Sequence, residues 1–190
     1  MKKTVILFIV FVFGLSLMAQ VNTHKFDFKI GTGIGLMGSG DLTALCFENE
    51  LNYKLNSYIT TSVSVGIGRT PKDIYRHNDY LLGSLNLFIS PFKNTRRNNF
   101  PIGGGYTLIN ETSVYDQHMY DHMLNGTFTE ERYNSGLEYM TRIVSGFSMI
   151  LENEYMISSR FLIGGKLFVT GGKSEGGVVS GGMIKLGILL

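Results

Sequence analysis

From residue 24 to the C-terminus the chain alternates apolar and polar residues with a period of two, and that alternation limits what it can become. A period of two places the two sets on opposite faces of an extended strand, whereas a helix would repeat every 3.6 residues. Residues 24–38 set Phe26, Phe28, Ile30, Thr32, Ile34 and Leu36 against Lys25, Asp27, Lys29, Gly31, Gly33 and Gly35. The pattern returns in 42–56, where Leu45, Phe47, Leu51, Tyr53 and Leu55 oppose Cys46, Glu48, Glu50, Asn52 and Lys54. It recurs in 58–69, 80–92, 100–110, 137–157, 160–171 and 177–190. Eight strands are predicted, an even number, the last one ending the chain.

Their connections differ in length. Asn56-Ser57, Ser158-Ser159 and the basic run 93–99 are short turns, whereas 37–41, 70–79, 110–136 and 171–176 are generally longer or more irregular. Short turns at one end and longer loops at the other suit an all-β, eight-stranded antiparallel up-and-down transmembrane barrel, with both termini on the short-turn side. A soluble lipocalin-like barrel would share the alternation but turn its apolar face inward. Three features favour the inverted arrangement. The polar face is crowded with glycine (Gly31, Gly33, Gly35, Gly66, Gly68, Gly103, Gly105, Gly181, Gly187), which weakens a solvated strand but makes room in a narrow lumen. Aromatic residues gather at the turn ends (Phe26, Phe28, Tyr53, Phe100, Tyr155, Phe161), with Tyr106 and Tyr139 assigned to the loop ends, as two interfacial girdles would require. The strands are also long enough for a tilted crossing, which takes about 9 to 11 residues.

Ahead of the strands, Lys2-Lys3 precede an almost wholly apolar run from Thr4 to Leu17 that closes on Ser16-Leu-Met-Ala-Gln20. This reads as a cleavable signal peptide over 1–19, leaving 20–190 as the barrel domain. Losing Lys2 and Lys3 leaves fifteen basic residues against fifteen acidic ones, so no basic surplus marks a nucleic-acid partner. The lone Cys46 forms no intramolecular disulfide.

The segment Leu85-Asn-Leu-Phe-Ile-Ser-Pro-Phe92, the run Leu151-Glu-Asn-Glu-Tyr155, the terminal Gly182-x-Ile-Lys-Leu-Gly-Ile-Leu189 and the leader end Met18-Ala-Gln20 carry a resemblance. On these residues the mature chain resembles the small outer-membrane β-barrel proteins abundant in Bacteroidota, similar in architecture to outer-membrane protein X and the barrel domain of outer-membrane protein A. The resemblance implies residence in the bacterial outer membrane, contact with its lipid and lipopolysaccharide, and insertion by the barrel-assembly machinery. The family's usual closing residue is aromatic; this chain closes on Leu190.

On the polar face, Glu48, Glu50, Lys54, Arg142, Glu152, Glu154, Lys166 and Lys185 are expected to form a structural charged cluster inside the barrel. A turn centred near Ser159 would set Glu152 opposite Lys166. An eight-stranded interior is just wide enough for side chains, so a lattice of ion pairs is favoured over an open pore or a proton relay. His118 and His122, four apart, lack the glutamate of a His-Glu-x-x-His zinc site, and with Asp116 and Asp121 are read as solvated loop, as is His77. Ser113 and His118 could be drafted as an acyltransferase pair, but nothing in their spacing demands it. Gly31-x-Gly-x-Gly35 lies mid-strand with no helix following, so it is no phosphate loop. Cys46 is read as an inward packing residue. No catalytic residue, cofactor or metal is expected. The segment 110–136, with Tyr115, Met119, Tyr120, Met123, Phe128 and Tyr133, is apolar for a free loop and is the candidate contact for a surface partner. The favoured role is therefore structural or surface-interacting; a narrow channel and a lipid-modifying enzyme are the alternatives.

Overall fold

Nine antiparallel strand segments close on themselves in the computed structural model, which describes residues 24–37, 42–71, 77–95, 97–115, 138–172 and 178–190. They are β1 (Phe26–Met37), β2 (Leu42–Lys54), β3 (Ile59–Arg69), β4 (His77–Ile89), β5 (Asn98–Asn99), β6 (Ile102–Tyr115), β7 (Glu138–Met156), β8 (Phe161–Gly172) and β9 (Val178–Leu189). Neighbours in sequence are neighbours in space. β1 pairs with both β2 and β9, and the β7–β8 ladder completes the ring.

β5 and β6 are one stave of the barrel. Asn98 pairs with Tyr155 and Ile102 with Leu151, so the register against β7 does not slip across Phe100-Pro101. Proline has no N–H to give the ladder, which breaks the stave there, while the Pro101 carbonyl still accepts the Glu152 N–H at 2.9 Å. The ring is thus eight-stranded, and the turn expected over 93–99 gives its last two residues to a strand.

The stagger follows from the ladders. Stepping from Asn153 through Gly165, Ile184, Thr32, Phe47, Ile67, Leu81 and Asn110 returns to β7 at Ile143, ten residues from the start. For eight strands, that stagger with ordinary strand spacings tilts the strands by roughly 40° and gives a radius of roughly 8 Å. The lumen therefore has space for side chains and little else.

Burial decides which face is outside. Along β3, Ser62 is 1% exposed and its neighbour Val63 is 56% exposed. The same inversion holds around the ring: Ile30, Leu45, Leu85, Leu108, Leu167 and Ile184 are exposed, while Lys29, Glu50, Asn86, Thr107, Lys166 and Lys185 are buried. A water-soluble barrel would reverse this pattern; an apolar exterior over a polar interior is the membrane-spanning form. No helix among the described residues is long and apolar enough to cross a membrane, and the crossing falls to the strands.

Three local expectations are corrected. β6 runs on to Tyr115, so Asn110–Tyr115 are strand and the long connection is shorter than 110–136. His77, expected in a loop, pairs with Val114 as the first residue of β4. Tyr106, assigned to an upper aromatic girdle, lies well below the top of the lengthened β6, with its ring 6.0 Å from that of Phe147 in an edge-on arrangement. The lower girdle includes Phe26 and Tyr53, whose rings are 4.8 Å apart. The expected signal segment 1–19 lies outside the described residues. So do His118, His122, Asp116, Asp121 and the apolar residues expected beyond Tyr115 in the long connection.

Candidate functional site

Every second residue of the strands points into the lumen, and the polar ones sort by height. Toward the short-turn rim the lumen holds a network of charges drawn from β1, β2, β7, β8 and β9. The Lys185 ammonium donates to Glu50 Oε2 at 2.7 Å and to Glu152 Oε1 at 2.6 Å, and lies 3.2 Å from Glu48 Oε1. Lys166 donates to both oxygens of Glu48, at 2.6 and 2.8 Å. The Lys29 ammonium bonds Glu154 and lies 3.4 Å from oxygens of both Glu50 and Glu152. The Asn52 amide bridges Asp27 and Glu50, at 2.8 and 2.7 Å, and Asn99 donates to Glu154 at 3.0 Å. Lys54, at the rim, is 3.8 Å from Asp27.

These charges leave water only because each carboxylate meets an ammonium or an amide; an unpaired charge at this depth would cost several kcal/mol. Glycines give the lysine stems room. A Cβ built at Gly31 would lie 3.3 Å from Lys185 Cγ, and one at Gly187 would lie 3.0 Å from Lys29 Cγ.

Beside the charges runs a neutral polar seam. Ser148 donates to Asn86 Oδ1 at 2.9 Å, the Asn86 amide reaches Ser62 Oγ at 3.3 Å, and the Ser84 and Thr107 hydroxyls are 3.0 Å apart. Higher in the lumen the filling turns apolar, with Met37, Ala44, Tyr80, Leu82, Ile109, Ile150, Phe168, Val179 and Met183 in one buried cluster with Cys46. The Cys46 thiol, fully buried, lies 3.1 Å from the Tyr80 hydroxyl. Above this layer Arg142 pairs with Glu111 at 2.9 Å, and Asn78 donates to the same carboxylate at 2.7 Å.

Of the eight charged residues singled out from the sequence, Glu48, Glu50, Glu152, Glu154, Lys166 and Lys185 come together in one network. Lys54 stands at its edge. Arg142 belongs to a separate pair near the opposite rim. Lys29, Asp27, Asn52 and Asn99 are members that sequence reasoning left out of the cluster, although Lys29, Asp27 and Asn52 sit on the same polar face and could have been counted by it. Glu111 was hidden by its assignment to a loop. Among the described residues no group of three or more His, Cys, Asp or Glu side chains is placed to hold a metal ion.

No protein-family model matches the chain, and no curated protein matches it in sequence. Solved structures do match its shape. Neisserial surface protein A (NspA) aligns with a TM-score of 0.61 at 8% identity, covering 87% of this chain and 96% of that one. The outer membrane protein OprG of Pseudomonas aeruginosa aligns at 0.54 and 12% identity, covering 89% and 97%. Ail, the attachment invasion locus protein of Yersinia pestis, aligns at 0.53 and 8% identity, covering 86% and 94%. At such identities the likeness is one of fold, and the fold is that of the small outer-membrane barrels. It lends no support to the narrower Bacteroidota resemblance.

Proposed function

We propose that this chain is a non-enzymatic protein of the bacterial outer membrane, a closed barrel that anchors the segments between its strands at the cell surface. The observation that carries the reading is the filling of the lumen. Paired charges occupy the part toward the short-turn rim, apolar side chains close the part above, and the Arg142–Glu111 pair stands over both. A barrel built this way offers the cell a rigid support and its outer segments, and no conduit. The residues between Tyr115 and Glu138 are the longest stretch available to meet a partner. Two fold neighbours, Neisserial surface protein A and the attachment invasion locus protein Ail, carry names that agree with a surface role.

Two further assignments belong with this reading. Residues 1–19 serve as the export signal, and the alternating terminal strand, Ile184 to Leu190, serves as the segment read by the barrel-assembly machinery. Single-channel recording in planar bilayers tests the closed lumen. Silent membranes at saturating protein are expected; stepwise currents would replace this reading with transport.

A further inference from the structure

The outer wall of the barrel is not uniformly studded with side chains. Where β7, β8, β9 and β1 meet, two outward-facing residues are glycine, Gly165 and Gly182, and between their larger neighbours lies a groove of about 610 Å³. A Cβ built at Gly165 would find nothing nearer than a carbonyl oxygen at 4.0 Å, so the space there is open. Phe100, Leu151, Leu167 and Ile184 are among the residues that wall the groove, and Leu167 leans over Gly182, where a Cβ would lie 3.3 Å from its Cδ2.

The groove has a direction. Asn153, Gly165 and Ile184 lie on one ladder line, and Gly182 is the next outward position of β9 above Ile184. With the strand tilt, the climb from Asn153 to Gly182 is roughly 10 Å, from just above the aromatic residues of the short-turn rim to about the middle of the apolar belt. One leaflet of hydrocarbon is about 15 Å thick, half of a ~30 Å core. The lower end is polar. The Asn153 carboxamide is exposed there and has no hydrogen-bond partner among the described residues. Two residues further down the same face, Tyr155 carries the Arg97 guanidinium 5.0 Å from its ring centre, and Arg97 Nε donates to the Met156 carbonyl at 3.2 Å. No ion pair among the described residues takes the charge of Arg97.

From rim to midplane the order is cation, carboxamide, apolar trough. We propose that this face binds one anionic glycerophospholipid of the periplasmic leaflet. Its phosphate lies at Arg97, its ester carbonyl accepts a hydrogen bond from Asn153, and one acyl chain runs up the trough over Gly165 to Gly182. The inference rests on the membrane placement of the barrel and not on a closed lumen, so a conducting barrel would leave it standing.

Native mass spectrometry of the detergent-extracted protein, supplied separately with phosphatidylglycerol and phosphatidylcholine, tests it. Wild type should retain a single lipid and prefer phosphatidylglycerol by about fivefold, the effect of one interfacial cation. Gly165→Leu fills the trough and should abolish retention of both lipids, Asn153→Ala should weaken both, and Arg97→Gln should keep binding but lose the preference. Heat-shifted gel migration reports whether each variant is folded; Asn153→Ala and Arg97→Gln decide the matter if Gly165→Leu is not. Equal retention by wild type and the folded variants would overturn the proposal. A dimer lost in Gly165→Leu, with no lipid adduct, would overturn it too and assign the groove to a second copy of the chain.

Discussion

Glu152 stands directly opposite Lys166 in the β7–β8 ladder, yet the two are not partners: Lys166 sends its ammonium across the lumen to Glu48, and Glu152 receives Lys185 instead. In an open sheet, facing residues of opposite charge would pair along the surface. Inside a ring of roughly 8 Å radius, long side chains reach strands that are not their neighbours. The ion pairs therefore act as cross-ties between β1, β2, β7, β8 and β9, and the cost of losing one depends on how many carboxylates it serves.

Lys185 serves three, Glu50, Glu152 and Glu48, at full burial. Lys185→Met should lower the unfolding free energy by about 3 to 5 kcal/mol, because it removes the shortest contacts of Glu50 and Glu152 and leaves Lys29 and Lys166 to offset more buried negative charge than they can pair. Arg69→Gln removes an exposed ion pair with Asp79 and should cost no more than about 1 kcal/mol. Equilibrium urea titrations in detergent micelles, followed by the heat-shifted gel band, compare the two.

The Tyr80 ring occupies the space beside Gly68 on the adjacent strand, where an added Cβ would come within 2.0 Å of Cε1. Gly68→Ala should destabilise the barrel by about 1 to 3 kcal/mol through overpacking. Tyr80→Ala empties the same space, so the double variant should be less damaging than the sum of the singles, and a double-mutant cycle in the same titration reads the difference.

Val63 occupies the middle of β3 on the exposed apolar face. Val63→Arg should cost about 2 to 4 kcal/mol of folding free energy in lipid bilayers, the depth-dependent penalty of a cation in hydrocarbon. Val63→Leu should be nearly neutral by the same refolding measurement.

The faces of the strands were legible because the bilayer writes a strong contrast into them: Phe47 against Glu48, Val63 against Ser62, Ile184 against Lys185. The Glu152–Lys166 register was legible as well, since a tight turn at Ser158-Ser159 leaves little choice. The upper part of β6 was not. Once a strand rises above hydrocarbon both faces turn polar, and Asn110-Glu-Thr-Ser reads as loop although it is paired. Nor could local pattern place Lys29 beside Glu154, which are 125 residues apart in the chain. That meeting exists only because the ring closes, β9 pairing with β1 and β7 with β8. Pro101 concealed the short strand at Asn98–Asn99 by interrupting the stave that contains it.

The claim on which all of this depends is that the apolar face meets lipid and the polar face fills the lumen. The chain has no tryptophan, so a single introduced indole reports its own surroundings. In bilayers carrying mid-chain brominated lipids, Val63→Trp, on the exposed face, should emit at short wavelength and be strongly quenched. Phe88→Trp, on the inward face at 2% exposure, should stay bright. Quenching of Phe88→Trp with Val63→Trp spared would contradict the account.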